Sequence, residues 1–268
     1  MEVDVVLNPK EDELLAAYER LYSNAPTWAY DVAPPIPFVG NNYAKSTHRV
    51  LIYASVENLN SLGHAAQLKE GRPMLRSRSA YAEHRNRIPP TLNVHIEPIN
   101  NGGLLKVAWH ILEHLFPSTF ARDQFGFLEQ VAVANPGKFC IKPRDGERKV
   151  NADYAKNWKL FGEQSDYIRC DLRDLAPTVL ILPATILGSL LRAGLSDDLK
   201  STRTIVAIRQ VQQRAIFRKI GHRRPLISDA PLPEGYGAWT APSYADAYLR
   251  WIQENPQRFN PENGVVTL

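Results

Sequence analysis

The sequence predicts a three-layer α/β/α domain with a mainly parallel central sheet, and three observations carry that expectation. Four short runs, "RVLIYAS" (49–55), "QVAVAN" (130–135), "TVLILPA" (178–184) and "TIVAIRQ" (204–210), are almost continuously apolar, as strands buried on both faces are. Stretches with apolar residues at helical spacing lie between them. The 268 residues, 44% of them hydrophobic, suffice for one large core.

Taken in order, the chain first presents a helix start at Asn8-Pro9, with Leu14, Leu15, Tyr18, Leu21 and Tyr22 recurring at helical spacing. Prolines 34, 35 and 37 exclude regular helix from "APPIPFVGNNY", so residues 1–35 read as an N-terminal helix and a Pro-rich lead-in. After the first strand, Leu104, Leu105, Ala108, Ile111, Leu112 and Leu115 make one apolar helix face. Trp158, Phe161, Ile168, Leu172 and Leu175 support a longer, broken helix, and Ile186, Leu187, Leu190 and Leu191 a third. Pro231, Pro233 and Gly235 make the next stretch irregular, and Ser243-x-x-Asp246 caps a helix in "SYADAYLRWIQ". Residues 229–268 are thus expected to be linker and helix, closing a single domain over 1–268.

Composition narrows the function classes. No run approaches the ~18 apolar residues of a membrane span, and the acidic N-terminus "MEVDVVLNPKEDELL" lacks the pattern of a secretory signal. Only two cysteines occur, Cys140 and Cys170, with no C-x-x-C spacing, so a reducing, cytoplasmic setting without a cofactor is expected. Net charge is +4, but its distribution is uneven. Leu199 to Ser228 holds eight Lys or Arg and no acid; the other 24 basic residues face 28 acidic ones. "KEGRPMLRSRSAYAEHRNR" adds six basic residues against two acids. Local positive fields on a neutral-to-acidic body suit a phosphate backbone, although a solvated surface shows the same composition.

One segment offers a metal. "HILEH" matches the H-x-x-E-H pattern of a zinc-protease class, and His110, Glu113 and His114 fall on one side of a helix. Lys106 shares that side, opposite the apolar stripe, which is the arrangement of an ordinary solvated helix face. No carboxylate stands between Asp174 and Asp197, where a third ligand is expected. No metal site is therefore expected, and a zinc hydrolase is the third-ranked reading.

In a parallel sheet, ligands bind beyond the carboxyl ends of the strands, which nominates the loops after Ser55, at Asn135, after Ala184 and after Gln210. The segments "IPFVGNNYAKSTHRVLIYASVEN", "FLEQVAVANPGKFC", "NADYAKNWKLFGEQSDYIRCDLRDLAPTVLILPATI" and "TIVAIRQVQQRAIFRKI" follow one another as strands and loops do in the uracil-DNA glycosylase superfamily. Over residues 36 to 220 the chain resembles that family. The resemblance implies DNA, damaged or single-stranded, as partner, and a base flipped into a pocket at the strand ends. It implies that Asn135 reads the base edge and that Asn42 and Tyr43, with Asn41, lie beside the pocket. Phe139 or Tyr53 would stack on the base, although aromatic residues of this kind are commonly core. "GNNY" and Asn135-Pro136-Gly137 equally fit plain turns.

This chain departs from the family pattern at two loops. Ala54 stands at the glycine position of the first loop and Val56 at the water-activating position, so Glu57 and Asn58 are the nearest catalytic candidates. "RQVQQ" replaces His-Pro-Ser, leaving Arg209 and Gln210, with Gln212 and Gln213, near the leaving base. Arg214, Arg218, Lys219, Arg223 and Arg224 are the expected phosphate contacts. Two readings follow: a divergent DNA glycosylase, or a non-catalytic nucleic-acid or protein-binding module of the same fold.

Overall fold

The computed structural model of the protein describes residues 8–23, 25–30, 34–55, 104–105, 108–109, 112, 116, 124–141, 157–202, 204–208 and 265–267. In chain order these form α1 (Pro9–Leu21), β1 (Phe38–Val39), a 3₁₀ turn (Tyr43–Lys45), β2 (Val50–Tyr53), α2 (Gln124–Leu128) and β3 (Val131–Ala134). There follow α3 (Trp158–Gly162), α4 (Ser165–Leu175), β4 (Val179–Pro183), α5 (Ala184–Arg192), α6 (Ser196–Leu199), β5 (Thr204–Ile208) and β6 (Val265–Thr267).

The strands make one sheet in the order β1-β3-β2-β4-β5-β6. Val50 to Tyr53 pair with Val131 to Ala134, and Val50 to Ile52 with Val179 to Ile181, all parallel. β4 pairs with β5 and β5 with β6, also parallel; β1 alone runs antiparallel, against β3. The four apolar runs are therefore contiguous central strands of a mostly parallel α/β sheet. Numbered from β2, the parallel order is 2-1-3-4-5, so the chain reverses direction across the sheet between β2 and β4.

Both side-chain sets of the central strands are buried. Leu51, Tyr53, Ala132, Leu180, Leu182 and Ile205 join one cluster with α1, α4 and α5 residues such as Leu14, Ile168 and Ile186. Val50, Ile52, Val131, Val133, Val179, Ile181 and Val206 are buried outside that cluster, as are Leu105, Ala108, Trp109, Leu112 and Phe127. Trp109 stacks on Phe127 at 5.7 Å. Dry surfaces on both faces explain the apolar continuity of the runs.

α1 opens as its sequence predicts. Asn8 caps the helix through Lys10 N–H, and Glu11 returns a bond to the Asn8 N–H. The fully buried Glu11 also accepts the outward N–H of edge residue Val39 at 3.2 Å, and the Asn8 side chain donates to Gly40 O. α1 thereby covers the exposed edge of β1. Gly40 itself lies against the backbone of the turn before β3, where a Cβ would sit 2.3 Å from Leu128 O and 2.4 Å from Glu129 O. Only glycine fits there.

The helix expected over Trp158 to Leu175 divides at Glu163-Gln164, where Gln164 is turned inward. α4 ends at Ala176 in the left-handed region, φ 43°, with its N–H bonded to Leu172 O. Two strands escaped the sequence pattern: β1, which is two residues long, and β6, within the segment expected to be linker and helix. The helix expected in "SYADAYLRWIQ" lies outside the described residues. Among the described residues no helix is long and apolar enough to cross a membrane.

Candidate functional site

Because β2 to β5 are parallel, Ala54-Ser55, the segment from Asn135 and the start of α5 emerge at one end of the sheet. The first two are joined directly. Ala54 N–H donates to Ala134 O at 2.9 Å, continuing the ladder one step past β2. Ser55 N–H donates to the Asn135 side-chain oxygen at 3.0 Å, and Gly137 N–H donates to Ser55 O at 3.1 Å. Ser55 and Asn135 are both half-buried. Asn135 thus acts as a clamp between two strand ends, and that clamp fixes the orientation of its amide. β4 passes into α5 without an intervening loop, Pro183 being at once the last strand residue and the helix N-cap.

Beneath this end lies a buried polar network. Lys138, 2% exposed, donates through Nζ to Oδ2 of the fully buried Asp171. Tyr53 Oη donates to the same oxygen at 2.8 Å, and Tyr18 Oη to Oδ1 at 2.6 Å. The ammonium also lies 5.6 Å from both tyrosine ring centroids, within cation–π reach. The Lys138 backbone N–H donates to Gln164 Oε1 at 2.6 Å, while Gln164 Nε2 holds Leu160 O. This is why the helix breaks at Gln164. Burial, reinforced by the Asp171 carboxylate they bond, pushes the Tyr18 and Tyr53 phenols well above their usual range. Both are neutral donors at physiological pH. Burial likewise pushes Tyr167 up to about 12 and raises the Cys170 thiol, so neither is an activated nucleophile.

Sequence reading missed this network, although one signal for it was present. Asp171 stands on the apolar stripe of α4 with Ile168, Leu172 and Leu175, where an unpaired carboxylate would be costly. Nothing local marks Lys138, whose partner lies 33 residues away.

The structure gives several expected site residues other places. β1 is antiparallel to β3, so the turn after it lies at the amino end of the parallel strands. Asn42 N–H donates to Glu129 O and Asn41 N–H to Glu129 Oε2, at the start of β3. Asn42 is exposed there, and Tyr43 is buried with its hydroxyl on Leu175 O at 3.2 Å. Neither stands beside Asn135; the antiparallel pairing puts them at the opposite end of the sheet. Phe139, 3% exposed, packs edge-to-face on Trp28 and Tyr167 at 6.4 and 5.6 Å, and Tyr53 has no exposed surface. Both rings are core rather than stacking platforms. Lys200, which opens the basic run, lies at the amino end of β5 and pairs with Asp197 at 2.6 Å.

Glu57, Asn58, Arg209, Gln210, Arg214, Arg218, Lys219, Arg223 and Arg224 lie outside the described residues, as do His110, Glu113 and His114. Among the described residues no cluster of His, Cys, Asp or Glu is placed to hold a metal. No protein-family model matches the chain, and neither a curated protein nor a solved structure matches it.

Proposed function

We propose that the chain is a divergent protein of uracil-DNA glycosylase type, which binds DNA and receives a flipped base at the carboxyl end of the sheet. The observation that carries this reading is the half-buried Asn135, oriented by Ser55 N–H at the strand ends beside the reversal between β2 and β4. A base edge is read by a group offering both donor and acceptor, and a side-chain amide is such a group. A pre-oriented amide needs no reorganisation when the base arrives. In this reading Glu57 or Asn58, just beyond Ser55 in sequence, orients water at the anomeric carbon. Arg209 and Gln210, directly after β5, face the departing base, and Arg214, Arg218, Lys219, Arg223 and Arg224 neutralise phosphates.

The test is abasic-site formation on oligonucleotides carrying uracil, hypoxanthine or related lesions, read by alkaline strand scission. The expected result is scission that Asn135→Ala lowers on the order of a hundredfold, the scale of losing one oriented polar group from an active site. A second reading is favoured by Ala54, Val56 and "RQVQQ", which stand where the family carries glycine, a water-activating residue and His-Pro-Ser. It keeps the fold as a binding module without catalysis. Lesion-dependent binding with no scission under any condition selects that module; absence of both rejects the DNA reading.

A further inference from the structure

We propose that the buried Lys138–Asp171 pair, with Tyr18 and Tyr53, is a latch that fixes the strand-end segment 135–141 in one position. The inference rests on the geometry of that segment alone and holds whatever ligand Asn135 meets.

Four parts of the fold converge on one carboxylate: α1 through Tyr18, β2 through Tyr53, the segment after β3 through Lys138, and α4 through Asp171 itself. Apolar contacts are non-directional and let neighbours slide, whereas hydrogen bonds weaken steeply with distance and angle. Sliding the segment would withdraw the Lys138 ammonium from the buried Asp171 carboxylate, and the ion pair must stay made or leave two charges stranded. Lys138 is held twice by the same helical unit, its N–H by Gln164 and its Nζ by Asp171. Three residues upstream, Asn135 closes on Ser55; two residues downstream, Cys140 O accepts Tyr30 N–H, and Ala29 bridges Ile141. Lys138 thus anchors the middle of a segment whose two ends are held by neutral hydrogen bonds, one of them from the Asn135 side chain. Well-packed apolar residues of similar volume often stabilise a core as well as a buried ion pair does. Stability alone therefore does not account for four polar groups at this point; a single allowed loop position does.

The test is amide hydrogen exchange on the full chain. The fourfold variant Tyr18→Phe/Tyr53→Phe/Lys138→Met/Asp171→Leu removes every polar partner together, leaving none stranded. It should fold, keep protection at Leu180 and Ile181 in β4, and lose at least about tenfold at Ser55 and Gly137, as a locally opened segment does. Tyr53→Phe, which keeps the ion pair and the ring, should lose about threefold to tenfold at the same two amides, the ratio one hydrogen bond carries. Should the fourfold variant not fold, Tyr53→Phe decides alone. Unchanged protection at Ser55 and Gly137, or a loss spread equally over β4, would show that the network only supports global stability and would overturn the latch.

Discussion

The two ends of the sheet are built differently. At the amino end, the turn after β1 sits on the backbone before β3 through Gly40, with 2.3 Å separating a would-be Cβ from Leu128 O. Backbone groups join it there, Gly40 N–H to Val131 O, Asn42 N–H to Glu129 O and Thr178 N–H to Arg49 O, beside separate side-chain bonds through Asn8, Glu11, Glu129 and Tyr43. At the carboxyl end, backbone bonds from Ala54 to Ala134 and from Gly137 to Ser55 are joined by a buried side-chain network: Asn135 to Ser55, Gln164 to Lys138, and Lys138, Tyr18 and Tyr53 to Asp171. Close backbone fit is cheap to specify, requiring one glycine, and it tolerates no ligand. Directional side-chain bonds cost desolvation, and the buried network lies at the end where parallel sheets bind ligands. The costly construction is found at the end where the site is proposed.

That contrast is broken most forcefully by removing half of the buried pair. Lys138→Met leaves the buried Asp171 carboxylate with its two phenol donors but without its ammonium partner, and stability to urea should fall by about 3–5 kcal/mol. A loss below about 1 kcal/mol would mean that water or another group relieves Asp171. Gly40→Ala attacks the other end by overpacking, with an expected loss of about 2–3 kcal/mol in the same titration. Because that end carries no proposed site, any ligand binding should survive Gly40→Ala once the protein is folded. Loss of binding with intact folding would erase the distinction between the ends.

The next effect is on pH. The unfolded tyrosine gives up its proton near 10, whereas burial holds Tyr18 and Tyr53 protonated in the folded state to higher pH. Stability from this source is fully present below about pH 10 and falls as pH rises above it. Each phenol steepens the fall by up to about 1.4 kcal/mol per pH unit. Tyr18→Phe and Tyr53→Phe should each flatten the alkaline arm of a stability–pH curve; an unchanged arm would place the ionising groups elsewhere. The smallest effect belongs to the cover over the β1 edge. Asn8→Ala removes both the α1 cap and the bond to Gly40 O, and should cost about 1 kcal/mol by thermal melting. It should leave exchange at Ser55 unchanged.

The fold was largely legible because its four central strands are buried on both faces, and such strands announce themselves as apolar runs. The helical stretch from Trp158 to Leu175 was legible as well, but the place of its break depends on Gln164 accepting Lys138 N–H and leaves no local trace. Short and edge strands were not legible. Phe38-Val39 is too brief for any period, and its direction depends on pairing with residues almost a hundred positions later. That one unreadable direction moved Asn42 and Tyr43 to the wrong end of the sheet. The clamp by Asn135 sits at a strand end that topology alone nominated, but its bond to Ser55 spans 80 residues and leaves no local trace. The same holds for Lys138, whereas Asp171 was visible as a carboxylate on an apolar stripe.

The central claim is that the carboxyl end, organised around Asn135, reads a base presented by DNA. Its most direct measurement compares binding of duplexes with and without a single mismatched uracil or hypoxanthine, for the parent protein and Asn135→Ala, across a salt series. The account predicts that the parent prefers one lesion duplex and that Asn135→Ala abolishes the preference. Its affinity for undamaged DNA, and the salt slope of about 0.9 per neutralised phosphate, should be unaffected. Equal preference in both proteins, or no binding of DNA by the parent at low salt, would contradict it.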